Sequence, residues 1–242
     1  MTDHPAGSHG IERVFYPSPR GDAAETLLVL LPGVGIGAAD FVAHNFVAML
    51  HAGEAAVDLV IAAAETDHYL DGTITGRLIA MLAEQCPRHY RRLWLGGISL
   101  GGLGALLAAS TGRIETAGVI LLSPFLGTPG LIAEIERAGG LAAWEPGAVA
   151  ANDGERRVLA WLKDHLAAGH PLPHLQLGYG RSDRFAAAAA LLAQKLCARQ
   201  VHRVEGGHDW PTWTALWQRI LDERPFSETA DSWRHRKTGG RE

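Results

Sequence analysis

Six short runs rich in Val, Ile and Leu, at 26–31, 58–63, 92–97, 117–122, 172–178 and 200–204, alternate with longer stretches whose apolar residues recur at helical spacing. A strand that is apolar at nearly every position is buried on both faces. The alternation therefore predicts an α/β fold, a mostly parallel sheet flanked by helices on both faces. A seventh run at 12–16 suits a leading antiparallel edge strand. Asp40 is placed to cap a helix carrying Val42, Phe46, Met49 and Leu50, and Thr73 to open another carrying Leu78, Ile79 and Leu82. The alanine run 186–190 also suits a helix. A sheet of this size accounts for residues 1–242 as one domain.

Composition excludes several classes. With 47% hydrophobic and 20% charged residues the chain is neither disordered nor fibrous. Lys+Arg of 22 against Asp+Glu of 26 lacks the basic excess that nucleic acid binding needs. The most apolar stretch, T-L-L-V-L-L-P-G-V-G-I-G, is interrupted by Pro32 and three glycines well before the ~18 apolar residues of a membrane span. The start lacks the basic and apolar regions of a signal peptide. Cys86 and Cys197 stand far apart, outside any Cys-x-x-Cys pair, so buried free thiols and a reducing cytoplasm are expected. His-Glu-x-x-His and zinc-spaced cysteines are absent, and no metal is expected.

The chemistry concentrates in R-R-L-W-L-G-G-I-S-L-G-G-L-G-A. Gly97-Ile98-Ser99-Leu100-Gly101 is a G-x-S-x-G directly after a predicted strand and directly before a predicted helix. Eight serines and 29 glycines give about 0.1 chance matches to this pattern, so context must supply the rest. A strand that turns sharply into a helix lifts the serine above the sheet, and the glycines permit the close approach. The alternative is a helix cap.

A serine hydroxyl needs a base on a neighbouring loop. His208, in E-G-G-H-D-W-P-T-W after the last predicted strand, fits better than His202 inside that strand or His174 at a strand start. The base needs a carboxylate to orient it. Asp183, in G-R-S-D-R-F, ends a strand 84 residues after Ser99 and 25 before His208, while Arg181 and Arg184 offer the alternative of a structural ion pair. Asp209, Asp67 and Asp153 are weaker choices for the acid. The glycine-rich loop L-L-P-G-V-G-I-G can turn amides toward the serine, and the N–H groups of Val34 and Leu100 are the candidate oxyanion donors. As a phosphate loop it fails, since it lacks Gly-Lys-Ser/Thr and its glycines lack G-x-G-x-x-G spacing.

The stretch 126–170 is longer than one crossover requires. It holds two helical patterns, one through Leu131, Ile132 and Ile135, the other placing Val158, Trp161, Leu162 and Leu166 on one stripe. It reads as an elaborated crossover or as a small helical cap, and in the second case Leu131, Trp144 and Trp161 are candidate substrate-binding residues. The tail 225–242 is polar, with a basic cluster at Arg234, Arg236 and Lys237, and is expected to be solvated or frayed.

From 26 to 221 the chain resembles the α/β-hydrolases of the esterase, lipase and thioesterase group. The resemblance rests on L-P-G-V-G, G-I-S-L-G-G, G-R-S-D-R and G-G-H-D-W in that order, and H-D-W-P-T-W is also similar to the end of esterases in that superfamily. It implies a Ser, Asp, His triad and neither metal nor organic cofactor. One departure stands out: the His-Gly often found at the oxyanion loop is Pro32-Gly33 here. The expected activity is hydrolysis of a small carboxylic ester or thioester through an acyl-enzyme on Ser99. Acyl transfer or amide cleavage by the same triad, and a non-catalytic binding protein on the same fold, are the alternatives. Substrate and oligomeric state stay open.

Overall fold

Strand β2 (Thr26–Leu31) has all six residues buried, and its side chains go alternately to opposite faces. Leu28 and Leu30 join a hydrophobic cluster with Phe41, Phe46, Leu50, Trp213 and Trp217. Leu27, Val29 and Leu31 join a second cluster with Leu103, Leu106, Val158 and Leu162. The same split runs through β3 (Val57–Ala63) and β5 (Gly118–Leu122), so the core is two apolar layers separated by the sheet. The computed structural model describes residues 11–21, 24–53, 55–85, 89–168 and 174–227.

With β1 (Glu12–Tyr16), β4 (Arg92–Ile98), β6 (His174–Gly180) and β7 (Val201–Val204) the sheet has seven strands in the order β1-β3-β2-β4-β5-β6-β7. β1 pairs antiparallel with β3, Glu12 opposite Ala63, and every other pair is parallel. The chain steps outward from β2 to β3, then returns across β2 to β4. That reversal leaves a crevice outside the carboxyl ends of β2 and β4, where open α/β sheets bind ligands.

One face is covered by α1 (Ala38–Ala43), α2 (Phe46–Ala52) and α9 (Trp210–Asp222). The other is covered chiefly by α4 (Ile74–Gln85), α5 (Leu100–Ser110), α7 (Gly154–Ala168) and α8 (Ala186–Ala193). Two further helices, α3 (Thr66–Leu70) and α6 (Pro129–Arg137), follow β3 and β5. All seven expected strands are present. β4 and β6 run on to Ile98 and Gly180, and 171–173 lie outside the described residues.

Three expectations change. The helix assigned to Asp40 begins earlier, with Gly37 at its cap; Asp40 sits one turn inside and accepts the Gly37 N–H at 2.7 Å. It is also two helices, because Asn45 takes φ 62° and breaks the run before Phe46. Cys197 is an exposed free thiol, since it caps a 3-10 turn at the sheet's edge before β7. Cys86 and the basic cluster at Arg234, Arg236 and Lys237 lie outside the described residues.

Candidate active site

Ser99 links β4 to α5 with φ 56° and ψ −119°, a conformation that costs a residue with a Cβ. Its surroundings hold it there. The Ser99 N–H donates to Leu122 O at 3.0 Å, and its carbonyl accepts Gly102 N–H at 3.0 Å and Phe125 N–H at 2.9 Å. A Cβ at Gly97 would collide with the Gly101 backbone, and one at Gly101 would strike the Leu31 carbonyl. These two glycines therefore let strand, turn and helix close on one another beneath the serine.

The loop after β2 passes directly beside this turn. A Cβ on Gly33 would stand 3.0 Å from Ser99 Cβ and 3.2 Å from Ile98 O. Tyr69 fastens the loop, donating its hydroxyl to Pro32 O at 3.1 Å, while its ring packs against Gly104 on α5. Burial pushes the Tyr69 phenol pKa up, so the group stays a neutral donor. Val34, next in the chain, is 66% exposed. Leu100 is buried and carries the first N–H of α5, one of the amides that have no acceptor within their own helix. An anion beside Ser99 would meet the positive end of that helix.

Asp183 and His208 meet across 25 residues of chain. His208 Nδ1 lies 2.9 Å from Asp183 Oδ2 and 3.1 Å from Oδ1. The Asp183 side chain is fully buried and also accepts the Phe185 N–H at 2.8 Å. Burial alone would raise its pKa; His208, the Ser123 hydroxyl and the Phe185 amide outweigh burial and hold it below the ordinary Asp value. It is ionised at neutral pH. The alternative of a structural ion pair does not hold, because Arg181 pairs with Glu205 at 2.9 Å and Arg184 lies over the Phe185 ring. Asp209 is the cap of α9, accepting Thr212 N–H at 3.0 Å, Asp153 accepts the Arg156 N–H near the start of α7, and Asp67 lies in the first turn of α3. His202 is tied to Gln176 at 2.7 Å within the sheet.

The imidazole is clamped edge-on by two rings, Phe185 at 4.9 Å and 86° and Trp213 at 5.1 Å and 89° between centroids. Phe125 packs against Phe185 at 5.4 Å, and the Phe125 N–H is the one held by the Ser99 carbonyl. Two aromatic rings thus connect the serine turn to the histidine. The structure gives no hydrogen bond between Ser99 Oγ and His208; such contacts are commonly long in the unliganded state and tighten around substrate. Among the described residues no group of three or more His, Cys, Asp or Glu is arranged to hold a metal ion.

Of the three residues assigned to a cap, two are buried in the core and one lines a groove. Leu131 belongs to the core with Ile132 and Ile135, and Trp144 is 1% exposed, its indole N–H donated to Glu134 at 2.7 Å. Arg156 grips the same carboxylate with both terminal nitrogens, at 2.7 and 2.8 Å, and with Trp144 it holds the Glu134 pKa down to about 2. Trp161 lines an open groove of about 800 Å³ with Thr75, Arg77, Ser110, Arg113 and Arg157. Ser110 ends α5, so that groove lies a helix length of about 16 Å from the serine turn. Apolar stripes look alike from sequence whether they face a pocket or a core. Trp144→Ala should cost about 3–5 kcal/mol of stability and Leu131→Ala about 2–5 kcal/mol. Neither should change the preference for acyl length. Thermal melts beside kcat/KM across an ester series check this, and a changed length preference with an unchanged Tm would restore the cap.

Sequence reasoning missed Tyr69, Ser123, Phe125 and Phe185. Ser123 and Phe125 follow the strand after Ser99, in L-L-S-P-F, and Phe185 sits two residues after Asp183. Position after a central strand was the available signal, since in this fold the carboxyl ends of the strands frame the site.

Residues 43–223, three quarters of the chain, match the Esterase family, described as "Putative esterase". Among solved structures the chain is similar to an S-formylglutathione hydrolase from Staphylococcus aureus (16% identity, 89% of this chain and 98% of that one, TM-score 0.59). It is also similar to an S-formylglutathione hydrolase from Agrobacterium tumefaciens (15% identity, 87% of each chain, TM-score 0.59). A third is Est1E from Butyrivibrio proteoclasticus (18% identity, 88% and 93%, TM-score 0.54). At these identities the structural likeness speaks for the fold. No curated protein matches the sequence. The family match and the seven-stranded architecture together make the chain a member of the Esterase family, an ester hydrolase built on the α/β-hydrolase fold.

Proposed function

We propose that the protein is a serine hydrolase that cleaves small carboxylic esters or thioesters through an acyl-enzyme on Ser99, with His208 as base and Asp183 as its orienting acid. The observation that carries this reading is the buried Asp183 carboxylate on His208 Nδ1, at the same carboxyl edge of the sheet as a serine in the positive-φ turn of a G-x-S-x-G. With Nδ1 bonded to a carboxylate, Nε2 is the free, basic nitrogen of the ring. Ser99 Oγ attacks the carbonyl carbon while Nε2 takes its proton; the carbonyl electron pair moves to oxygen, and the N–H groups of Val34 and Leu100 receive the oxyanion. Collapse expels the alcohol or thiol, which leaves with the proton from Nε2. Water then repeats the sequence on the acyl-enzyme and frees the acid.

Two structural neighbours are S-formylglutathione hydrolases, which supports including thioesters of short acids among the substrates. The test is a fluorophosphonate probe on the folded protein, followed by p-nitrophenyl esters and thioesters of increasing acyl length. Covalent labelling at Ser99 with matching hydrolysis is the expected result. Labelling at another residue, or none with no hydrolysis, overturns the mechanism and leaves a binding protein on this fold.

A further inference from the structure

Ser123 follows the last residue of β5 and is fully buried. Among the described residues four non-glycines have positive φ, and two of them are Ser99 and Ser123, at the carboxyl ends of neighbouring strands. A serine held at φ 46° gains nothing from its Cβ, because glycine takes that conformation freely. Its side chain is the only thing glycine would lack. The backbone around it joins both halves of the site: Ser123 N–H donates to Gly178 O on β6 at 2.7 Å, the Leu122 carbonyl accepts Ser99 N–H, and Phe125 N–H bonds the Ser99 carbonyl. Ser123 is thus wedged between the serine turn and the strand that delivers Asp183.

The Ser123 Oγ is shielded from solvent and has no hydrogen-bond partner in the structure. A buried hydroxyl without a partner is costly, and the strand bonded to Ser123, β6, leads directly to the buried Asp183 carboxylate, which the hydroxyl helps to hold below the usual Asp range. An ionised carboxylate offers about four acceptor positions, and His208 Nδ1 with the Phe185 N–H leaves room for another donor. Asp209 caps α9 beside His208, Arg181 is paired with Glu205, and Arg184 lies over Phe185, so none of these charges takes that position.

We propose that Ser123 is a positioning residue whose hydroxyl donates to the Asp183 carboxylate and fixes the plane in which that carboxylate meets His208. The proposal rests on the triad reading above. In turnover the carboxylate must hold the imidazole through a change of charge, and a third donor stops it rotating between its two oxygens. The hydroxyl moves no proton and touches no substrate.

Ser123→Gly and Ser123→Ala test it on the full chain, with p-nitrophenyl acetate as substrate and proton NMR of the substrate-free protein. Loss of one hydrogen bond acting in the transition state predicts about a tenfold fall in kcat with KM within about twofold. Both variants lose the same bond to a buried carboxylate and only glycine relieves the positive φ, so Ser123→Gly should melt at or above Ser123→Ala while kcat falls equally in the two, which separates positioning from packing. The downfield resonance of the proton between His208 Nδ1 and Asp183 should shift in both variants. A folded Ser123→Gly protein with kcat within twofold of wild type, or an unmoved resonance, overturns the proposal. If wild type neither hydrolyses ester nor takes the fluorophosphonate, the triad reading fails separately, and the resonance still reports whether Ser123 holds the Asp183–His208 pair.

Discussion

Ser99→Ala is expected to lower turnover by roughly a thousandfold or more while the protein melts at close to its wild-type temperature. The chemical half follows from what is removed: without Oγ no acyl-enzyme forms, and only binding and the oxyanion donors remain. The structural half follows from what is kept. The three hydrogen bonds that hold position 99, to Leu122, Gly102 and Phe125, are all backbone bonds, and alanine retains the Cβ that meets Gly33. The substituted protein keeps φ 56° and the same cost. Turnover and fluorophosphonate labelling, measured on protein free of host esterases, check this; activity within tenfold of wild type would remove Ser99 from the mechanism.

The second large effect is expected at Asp183. Asn at this position can still accept the Phe185 N–H, so the turn before α8 survives, but the residue can no longer supply the charge that stabilises an imidazolium. If its amide nitrogen turns toward His208, the ring takes the wrong tautomer. A fall in kcat of roughly a thousandfold to ten-thousandfold with little change in KM is expected. Asp67→Asn and Asp153→Asn should leave kcat within about twofold, because one lies in α3 and the other serves the start of α7. Steady-state kinetics on the three variants decide it. A silent Asp183→Asn beside a crippled Asp67→Asn would move the acid to the end of β3.

The Asp183 pKa gives the result a pH dependence. A carboxylate whose folded pKa is depressed contributes stability above its unfolded value, and that contribution is lost as pH falls through the folded one. Wild type and Asp183→Asn should therefore differ most in Tm near neutrality and converge in acid.

Features written into local chemistry are legible in the string of letters. A run such as T-L-L-V-L-L cannot face water on either side, so β2 is central wherever the rest of the chain goes. The glycines around Ser99 admit one kind of turn, since any side chain at 97 or 101 would meet backbone. Because the parallel strands bring their carboxyl ends to one edge, residues after β4, β6 and β7 share that edge, and Ser99, Asp183 and His208 could be named as candidates from their places in the chain.

The tertiary structure alone decided which neighbours those residues keep. On paper Arg181 and Arg184 are equivalent partners for Asp183; packing sends Arg181 to Glu205 and Arg184 over a ring, which leaves Asp183 to His208. Trp144 and Trp161 have the same apolar character, yet one fills the core against Glu134 and the other faces a groove at the far end of α5. Asn45 breaks a periodic run that propensity would continue. Ser123 carries no motif at all, and its bearing on the site exists only because β5 is hydrogen-bonded between β4 and β6. Periodicity and glycine placement act within a few residues and survive in a string of letters. Hydrogen bonds and ring contacts between residues tens of positions apart arise only once the layers have packed and excluded water, so they had to be read from the fold.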